Sequence, residues 1–216
     1  MPTPLNGQTI VNKFHLFCGD QSELSTQDEL DLLNKQYDDV LNSRVWNFLK
    51  KPTSGSISTD GVTAWITLPT DFRFFVENNE KTDNASTTYN NASQKVIFVG
   101  PDYTPYQLVN WSDRRQFKNT SGYAYVDLAN NKIVFTSLPC DYTYEFDYIG
   151  NWDAIELNTY PIFPGDFHDM LYHAMCVDSN IINLVEKANS YAAENKKSVD
   201  DMMQKLCYYD SMFSLN

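Results

Sequence analysis

The stretch from Gly61 to Phe75, GVTAWITLPTDFRFF, constrains the fold more than any other part of the chain. Apolar residues occupy every second position in its first half, which is the pattern of a half-buried strand. These residues are Val62, Ala64, Ile66 and Leu68. Pro69 ends the strand because it has no N–H to give to a sheet, and Thr70 and Asp71 favour a tight turn. We therefore predict a strand, a turn, and then a second apolar segment that contains Phe72, Phe74 and Phe75.

Length and charge limit the classes of protein to consider. The chain has 216 residues, enough for one domain with a real core or for two small domains. It carries 16 Lys and Arg against 28 Asp and Glu, a formal net charge of −12, which argues against a surface that neutralises nucleic-acid phosphates. The N-terminus lacks a basic start followed by an apolar run, and no apolar stretch approaches the ~20 residues of a membrane span. We expect a soluble protein, made in a cytosol, that does not bind a membrane.

The four cysteines are far apart in the sequence and form no CxxC pair. They are Cys18, Cys140, Cys176 and Cys207. In a reducing compartment this spacing predicts no disulfide framework, so we expect buried free thiols.

Two helices are predicted before the strand region. Apolar spacing predicts the first over Gln8 to Phe17. The second begins with Thr26 and Glu29, which have the spacing of a capping box. Its apolar face extends to Leu49, and we expect Pro52 to end it, after two lysines that favour a helix C-terminus.

Strand patterns then occupy residues 54–149. The segments predicted as strands, beyond the opening one, are Val96–Val99, Tyr103–Val109 (a strand or an extended edge), Tyr123–Leu128, Lys132–Ser137 and Tyr142–Ile149. The third and fourth form a hairpin around Asn130 and Asn131, since Asn tolerates positive φ. The polar segment Asn78–Ser93 between the opening strand and Val96 is predicted to be a mobile loop or the tip of a long hairpin.

Helical spacing returns near the C-terminus. We expect a helix that begins with Asp166 as N-cap and continues to Val185, and another over about Lys187–Phe213. The predicted fold is α+β. The N- and C-terminal helices, residues 1–52 and 160–216, form a helical bundle, and residues 53–159 form an inserted antiparallel β lobe.

Two side-chain groups could carry chemistry, but each has a commoner structural explanation. Asp169, His173 and Cys176 share one helix face at a spacing compatible with a metal or nucleophile site. Glu145 and Asp147 lie on one side of a strand, as paired glycosidase carboxylates do. The usual catalytic and phosphate-binding motifs are absent from the sequence. We therefore predict that the chain is not an enzyme and uses neither a cofactor nor a metal.

Two further patterns concern binding. Trp65, Trp111 and Trp152 could form a platform for sugars, although aromatic residues also fill β cores. The densest basic patch contains Arg114, Arg115 and Lys118 beside Asp113. At a net charge of −12 we expect this patch to pair with an acidic neighbour or to be solvated.

The order of motifs resembles that of the head–tail connector proteins of tailed bacteriophages, also called adaptor or neck-ring proteins. The similarity is greatest to the tail accessory factor that docks under the portal of short-tailed phages. The motifs are LLNKQYDDVLNSRVWNFL, ITLPTDFRFF, YAYVDLANNKIVF and FPGDFHDMLYHAM, and they extend the resemblance from about Gln8 to Leu206. The Asn- and Tyr-rich composition suits a phage with an AT-rich genome, such as one of the crAss-like group.

This resemblance implies a non-enzymatic virion protein at the head–tail junction that forms a ring of about twelve copies beneath the portal. Its partners would be the portal protein, the downstream tail or neck-ring proteins, other copies of itself, and double-stranded DNA that passes through the channel without specific binding. We expect that some of Asp141, Glu145 and Asp147 face the channel or a subunit interface. The alternative is a receptor- or glycan-binding β module of the virion tail.

Overall fold

The computed structural model describes residues 3–18, 24–76, 95–178 and 186–212. The chain divides into two compact units. Residues Met1–Phe48 together with Trp152–Asn216 form the first, called here the helical unit, and Leu49–Asn151 form the second, called the barrel unit. The domain boundaries expected from the sequence, after residues 52 and 159, stay a prediction.

The described helices all belong to the helical unit. They are α1 (Gly7–Cys18), α2 (Thr26–Asn42), α3 (Asp169–Val177) and α4 (Glu186–Met212). In α1 the predicted apolar face is buried at Ile10, Val11 and Phe14, whereas Phe17 at its end is 41% exposed.

The N-terminal cap of helix α2 lies one residue earlier than predicted, at Ser25 instead of Thr26. Ser25 is the N-cap, its hydroxyl accepts from the Asp28 N–H, and the Asp28 carboxylate accepts from the Ser25 N–H. This reciprocal pair is a capping box. The predicted partner Glu29 is instead buried, and its carboxylate lies 2.7 Å from His15 Nε2 of α1.

The prediction that α2 continues to Lys51 is wrong, because the helix ends at Asn42. The carbonyl of Val40 accepts from the Ser43 hydroxyl at 2.7 Å and from the indole N–H of Trp46 at 3.0 Å, so side chains bind this terminal carbonyl. Lys50 onward pairs with a strand almost a hundred residues later in the chain.

The start of α3 also differs from the prediction. Residues Gly165–Phe167 form a 3-10 turn whose N-cap is Pro164, and α3 begins at Asp169 with His168 as its N-cap, so Asp166 is the N-cap of neither. Helix α3 ends at Val177, and the predicted continuation to Val185 lies outside the described residues.

The described strands of the barrel unit form one nine-stranded sheet. They are β1 (Lys50–Ser56), β2 (Ser58–Thr59), β3 (Ala64–Thr67), β4 (Phe72–Phe75), β5 (Val96–Val99), β6 (Thr104–Val109), β7 (Tyr123–Asp127), β8 (Lys132–Phe135) and β9 (Thr143–Gly150). The order is β1-β9-β5-β6-β7-β8-β3-β2, and β4 also pairs with β9. Since β1 and β2 stand at the two ends of this order but are separated only by Ile57, the sheet curls into a nearly closed barrel.

The predicted fold class, a helical bundle with an inserted antiparallel β lobe, is therefore wrong. The structure is mostly a nearly closed mixed barrel, with helices at the ends of the chain. The sheet is mixed because β6 and β7 pair in parallel, joined by the crossover Asn110–Gly122. Local periodicity identifies strands but does not reveal their order in a sheet, and this caused the error.

Several local predictions in the barrel are confirmed. Strand β5 has the predicted bounds, and the turn after Pro69 closes with a bond from the Phe72 N–H to the Pro69 carbonyl at 3.0 Å. The β7–β8 hairpin turns through Asn131, whose φ is +52°. Val62 is the exception in the opening strand: it precedes β3 and is 84% exposed.

The barrel interior is filled by alternate side chains from all around the sheet. The buried cluster includes Ile57, Ala64, Ile66, Leu68, Phe75, Ile97, Val99, Tyr106, Ala124, Ile133, Phe135, Phe146 and Tyr148. The predicted loop Asn78–Ser93 lies within residues that the structure does not describe. Among the described helices, none combines the length and apolar character needed to cross a membrane.

Candidate interaction surface

A row of side chains crosses the outside of the barrel on four neighbouring strands. The sheet register aligns Trp65 of β3 with Val134 of β8, Val134 with Tyr125 of β7, and Tyr125 with Val109 of β6. Their chain neighbours Ile66, Ile133 and Ala124 are buried inside the barrel. Because successive side chains on a strand alternate between faces, the row lies on the outer side.

Trp111 extends this row beyond the strands. Its ring meets the ring of Tyr125 edge to face, with centroids 5.3 Å apart. We call Trp65, Val134, Tyr125 and Trp111 the aromatic stripe. All four are partly or largely exposed, so the stripe is a surface feature and not part of the core.

Each end of the aromatic stripe carries a cation on a tryptophan. Lys132 Nζ lies 4.3 Å from the centroid of the Trp65 ring, and the Arg114 guanidinium lies 3.8 Å from that of Trp111. Arg114 also donates through Nη1 to the Trp111 carbonyl at 2.5 Å. These distances are within the range of cation–π attraction, which holds both charges against the stripe.

Burial and the charges beside the stripe shift the pKa of Tyr125. Burial raises the pKa of its phenol, the carboxylate of Asp127 raises it further, and the guanidinium of Arg114 opposes them. The phenol therefore stays protonated near neutral pH and can act as a hydrogen-bond donor to a partner.

The crossover Asn110–Gly122 positions the basic patch predicted from the sequence. Phe117 packs on Tyr123 with ring centroids 4.4 Å apart, and the Asn119 N–H donates to the Thr136 carbonyl at 2.8 Å. These contacts hold the crossover against the outside of β7 and β8. Arg114 takes part in the stripe, whereas Arg115 and Lys118 are exposed on the crossover.

The predicted acidic residues lie around β9. Glu145 and Asp147 alternate with Phe146 and Tyr148, which are buried in the barrel, so the two carboxylates are on the outer side. Their cross-strand neighbours on that side include Ser54 and Pro52 of β1 and Phe98 of β5.

The Asp141 carboxylate forms hydrogen bonds with the two residues that follow it in the chain. Its carboxylate accepts from the Tyr142 N–H at 2.6 Å and from the Thr143 N–H and hydroxyl, each at 3.0 Å. The bond from the Thr143 hydroxyl, and then those from the two backbone groups, lower the pKa of Asp141. Asp141 therefore shapes the turn that leads into β9.

The acidic side of β9 lies across the barrel from the aromatic stripe. β1 and β2 form one bent strand, and β4 continues the line of β5 beside β9. Two strands, β5 and β6, then separate β9 from β7, and two, β1/β2 and β3, separate it from β8 on the other side. The barrel thus presents cations on aromatic rings on one side and two carboxylates on the opposite side.

Asp169, His173 and Cys176 on α3 do not form a shared catalytic or metal site. Asp169 pairs with Lys13 at 2.6 Å, His173 Nδ1 lies 2.8 Å from Asn195 Oδ1, and Cys176 is 1% exposed. Among the described residues there is no group of three or more His, Cys, Asp or Glu side chains that could hold a metal ion. Cys176 is a buried thiol as predicted, but the prediction of burial is wrong for Cys140, which is exposed.

The tryptophans proposed as a sugar platform are also engaged elsewhere. A cation covers one ring face of Trp65 and one of Trp111, and two residues of the stripe separate these rings. The indole N–H of Trp152, in the helical unit, donates to Asp38 at 2.8 Å. A sugar would have to displace a cation to stack on the covered faces.

A cavity of about 360 Å³ in the helical unit is lined by apolar residues together with Thr3 and His168. Its apolar lining comes from Pro4, Tyr160, Pro161 and Phe163. His168 also lines it, but its Nδ1 lies 3.0 Å from the backbone N–H of Leu5 and its Nε2 lies 2.9 Å from the Phe163 carbonyl. The histidine is therefore held by the backbone and is not positioned as an acid or base.

Comparison of the sequence with protein-family models finds no match, and comparison with curated proteins finds none either.

Sequence reasoning found parts of this surface but not their combination. The sequence placed Arg114 in a basic patch, and it left Trp65 and Trp111 open between a sugar platform and aromatic residues of a β core. Lys132, Val134 and Tyr125 were assigned only to a hairpin. The alternation of the hairpin indicated which side chains share a face, but the pairing of β3 with β8 was needed to align Trp65 with Tyr125.

Proposed function

We propose that this chain is a structural virion protein that forms a ring beneath the portal, extends the DNA channel and joins the capsid to the tail. Its partners are the portal protein, the downstream tail or neck-ring proteins and other copies of itself. The order of the sequence motifs, which resembles that of phage head–tail connector proteins, is the basis for proposing this family. The surface of the barrel supports a role in protein assembly.

The observation that carries the proposal is the aromatic stripe with its cations. Trp, Tyr and Arg are the residue types that contribute most to protein–protein interfaces. Here the sheet fixes Trp65 and Tyr125, and Trp111 and Arg114 hold each other in place. A surface ordered before binding loses less side-chain entropy when a partner arrives.

The charge of the chain supports the same role. With a net charge of −12, a ring of these subunits would present an acidic surface to a passing polyanion. Such a surface repels DNA, so DNA would slide through the channel without binding.

Native mass spectrometry of the purified chain, alone and with the portal protein of the same genome, tests the proposal. We expect a monomer alone and a closed ring of many copies on the portal. A chain that ignores the portal and forms a small discrete oligomer by itself would contradict the proposal and direct attention to receptor binding, which glycan arrays would then examine.

The same mixture needs a control for non-specific charge effects. Lys196 and Lys197 are exposed on α4. Their double substitution Lys196→Glu/Lys197→Glu makes the chain more acidic without touching the barrel. We expect this variant to form the same ring on the portal as the wild type.

A further inference from the structure

We propose that the aromatic stripe and its cations dock on the outer side of β9 of a second copy of this chain. The contact is head to tail: Arg114 and Lys132 of one copy face Glu145 and Asp147 of the next. This inference rests on the proposed function, because it assigns the subunit interface of the ring.

The positions of the two surfaces favour repetition. The β7–β8 pair and β9 lie across the barrel from each other, with two strands between them on either side. A copy that binds through one surface leaves the other surface free for a further copy. Contacts of this kind are heterologous, and they produce closed rings when the rotation between copies closes and filaments when it does not.

The two surfaces also match in charge. The stripe holds two cations over tryptophan rings, and Arg115 adds a third nearby. Near the stripe, Asp127 of β7 lies opposite Lys132 in the sheet register and accepts from the Asn130 side chain at 2.8 Å, and Asp113 accepts from the Ser112 hydroxyl at 3.1 Å. On β9 the outward carboxylates are Glu145 and Asp147. Complementary charges of this kind select the partner and fix its register.

Apolar groups are present on both sides of the contact. On the stripe they are Trp65, Val134, Tyr125 and Trp111. Around the two acids they are Phe98, which pairs with Glu145, and Pro52, which pairs with Asp147. A guanidinium stacked on an indole can donate to a carboxylate through the edge of its plane while its face stays on the ring.

Charge reversal with compensation tests this contact. The stripe variant is Arg114→Glu/Lys132→Glu, and the β9 variant is Glu145→Arg/Asp147→Arg. Each variant alone faces like charges at the interface, so we expect ring assembly on the portal to require at least about tenfold more protein. Native mass spectrometry over a concentration series with the portal protein measures the change.

Mixing the two variants gives the decisive result. In an equal mixture, the acidic stripe of one variant meets the basic β9 of the other, and the unmodified surfaces also match. We therefore expect assembly to return toward the wild-type concentration, in rings where the two variants alternate one to one. The chain that carries all four substitutions restores complementarity with itself and should also form rings.

Two controls separate the interface from folding and from net charge. Lys196→Glu/Lys197→Glu and Asp200→Arg/Asp201→Arg make the same changes in charge on exposed positions of α4 and should leave assembly unchanged. Circular dichroism and urea unfolding show whether each variant folds. If Arg114→Glu unfolds the crossover, Arg115→Glu/Lys132→Glu reverses charge near the stripe and leaves the stacking on Trp111 intact.

The outcomes distinguish this inference from the proposed function. If the wild type forms no ring on the portal, the proposed function fails. If the wild type forms a ring and the folded stripe and β9 variants form it equally well, the ring stands and the assigned interface is wrong. Impaired single variants whose mixture does not recover would also overturn the head-to-tail pairing of these two surfaces.

Discussion

The side-chain amide of Asn34 binds both backbone groups of Ile155. Its Nδ2 donates to the Ile155 carbonyl at 3.0 Å, and the Ile155 N–H donates to its Oδ1 at 2.7 Å. The amide thereby pairs with the backbone as a neighbouring strand would, and it fixes to α2 a segment with no regular secondary structure. The Ile155 side chain is buried beside it.

Replacing Asn34 should therefore destabilise the fold. Asn34→Ala leaves a partly buried N–H and carbonyl of Ile155 without their partner, and we expect the free energy of unfolding to fall by about 2 kcal/mol. Asn34→Asp keeps the acceptor but turns a carboxylate oxygen toward the carbonyls of Leu30 and Ile155 that Nδ2 binds, so it should cost at least as much as Asn34→Ala. Urea unfolding measures both, and Gln27→Ala, on the exposed side of α2, should change little.

A second prediction concerns pH and the carboxylate of Asp71. Lys51 Nζ donates to it at 2.6 Å and the Tyr148 hydroxyl donates at 2.9 Å. The bond from Lys51 lowers the pKa of Asp71 most, the bond from Tyr148 adds to this, and burial opposes both. The pKa in the folded chain is thus below the unfolded value of 3.8.

This shift stabilises the fold when Asp71 is ionised. The stabilisation is complete above the unfolded pKa and is lost as the pH falls through the folded pKa. Because the site is partly exposed, we expect Asp71→Asn to cost about 1 kcal/mol at pH 7. The gap between wild type and variant should narrow on acidification below about pH 4, as measured by urea unfolding at a series of pH values. A constant gap would show that ionisation of Asp71 does not matter.

The end of α2 shows what sequence periodicity misses. Val45, Phe48 and Leu49 continue a helical apolar spacing, so the helix was predicted to continue to Lys51. In the structure the chain leaves the helix at Ser43, and Lys50–Ser56 pairs along β9. Strand β9 begins at Thr143, and no sequence pattern near residue 50 predicts this long-range pairing. Pro52 ended the predicted helix, yet it lies in β1, which stands at one end of the sheet order.

The interaction surface, like the end of α2, was predicted only in part from the sequence. Residue types alone identified the basic patch of Arg114, Arg115 and Lys118, and alternation alone placed Glu145 and Asp147 on one side of a strand. Their position opposite the β7–β8 pair depends on the strand order of the barrel, which is a property of long-range pairing. The hairpin was the most predictable element, because Asn131 suits a left-handed turn.

Asn131 provides a third prediction. Its backbone has φ +52° and ψ +48°, a conformation that costs β-branched residues most. We expect Asn131→Val to lower the free energy of unfolding by about 1–2 kcal/mol. Asn131→Gly adopts the same conformation without strain and should change stability far less. Thermal unfolding of the two variants checks the order, and equal stabilities would contradict the role assigned to the backbone conformation.

Two glycines allow backbone strain to be separated from crowding. Gly61 has φ +86° and a Cβ there would meet nothing within 4 Å. Gly100 has φ +74°, and its Cβ would lie 2.9 Å from the Cβ of Asp141. Both positions impose the same conformational cost on alanine, but only the second adds a steric clash.

Gly61→Ala should therefore cost about 1 kcal/mol, and Gly100→Ala should cost at least about 1 kcal/mol more, because it also displaces the carboxylate that holds the turn before β9. A double-mutant cycle isolates the clash. In an Asp141→Gly background the obstructing Cβ is gone, so Gly100→Ala should cost no more than Gly61→Ala does in the wild type. Urea unfolding of the wild type and the four variants measures each step. If the cost of Gly100→Ala is unchanged without the Asp141 side chain, its origin is the backbone of residue 100 alone.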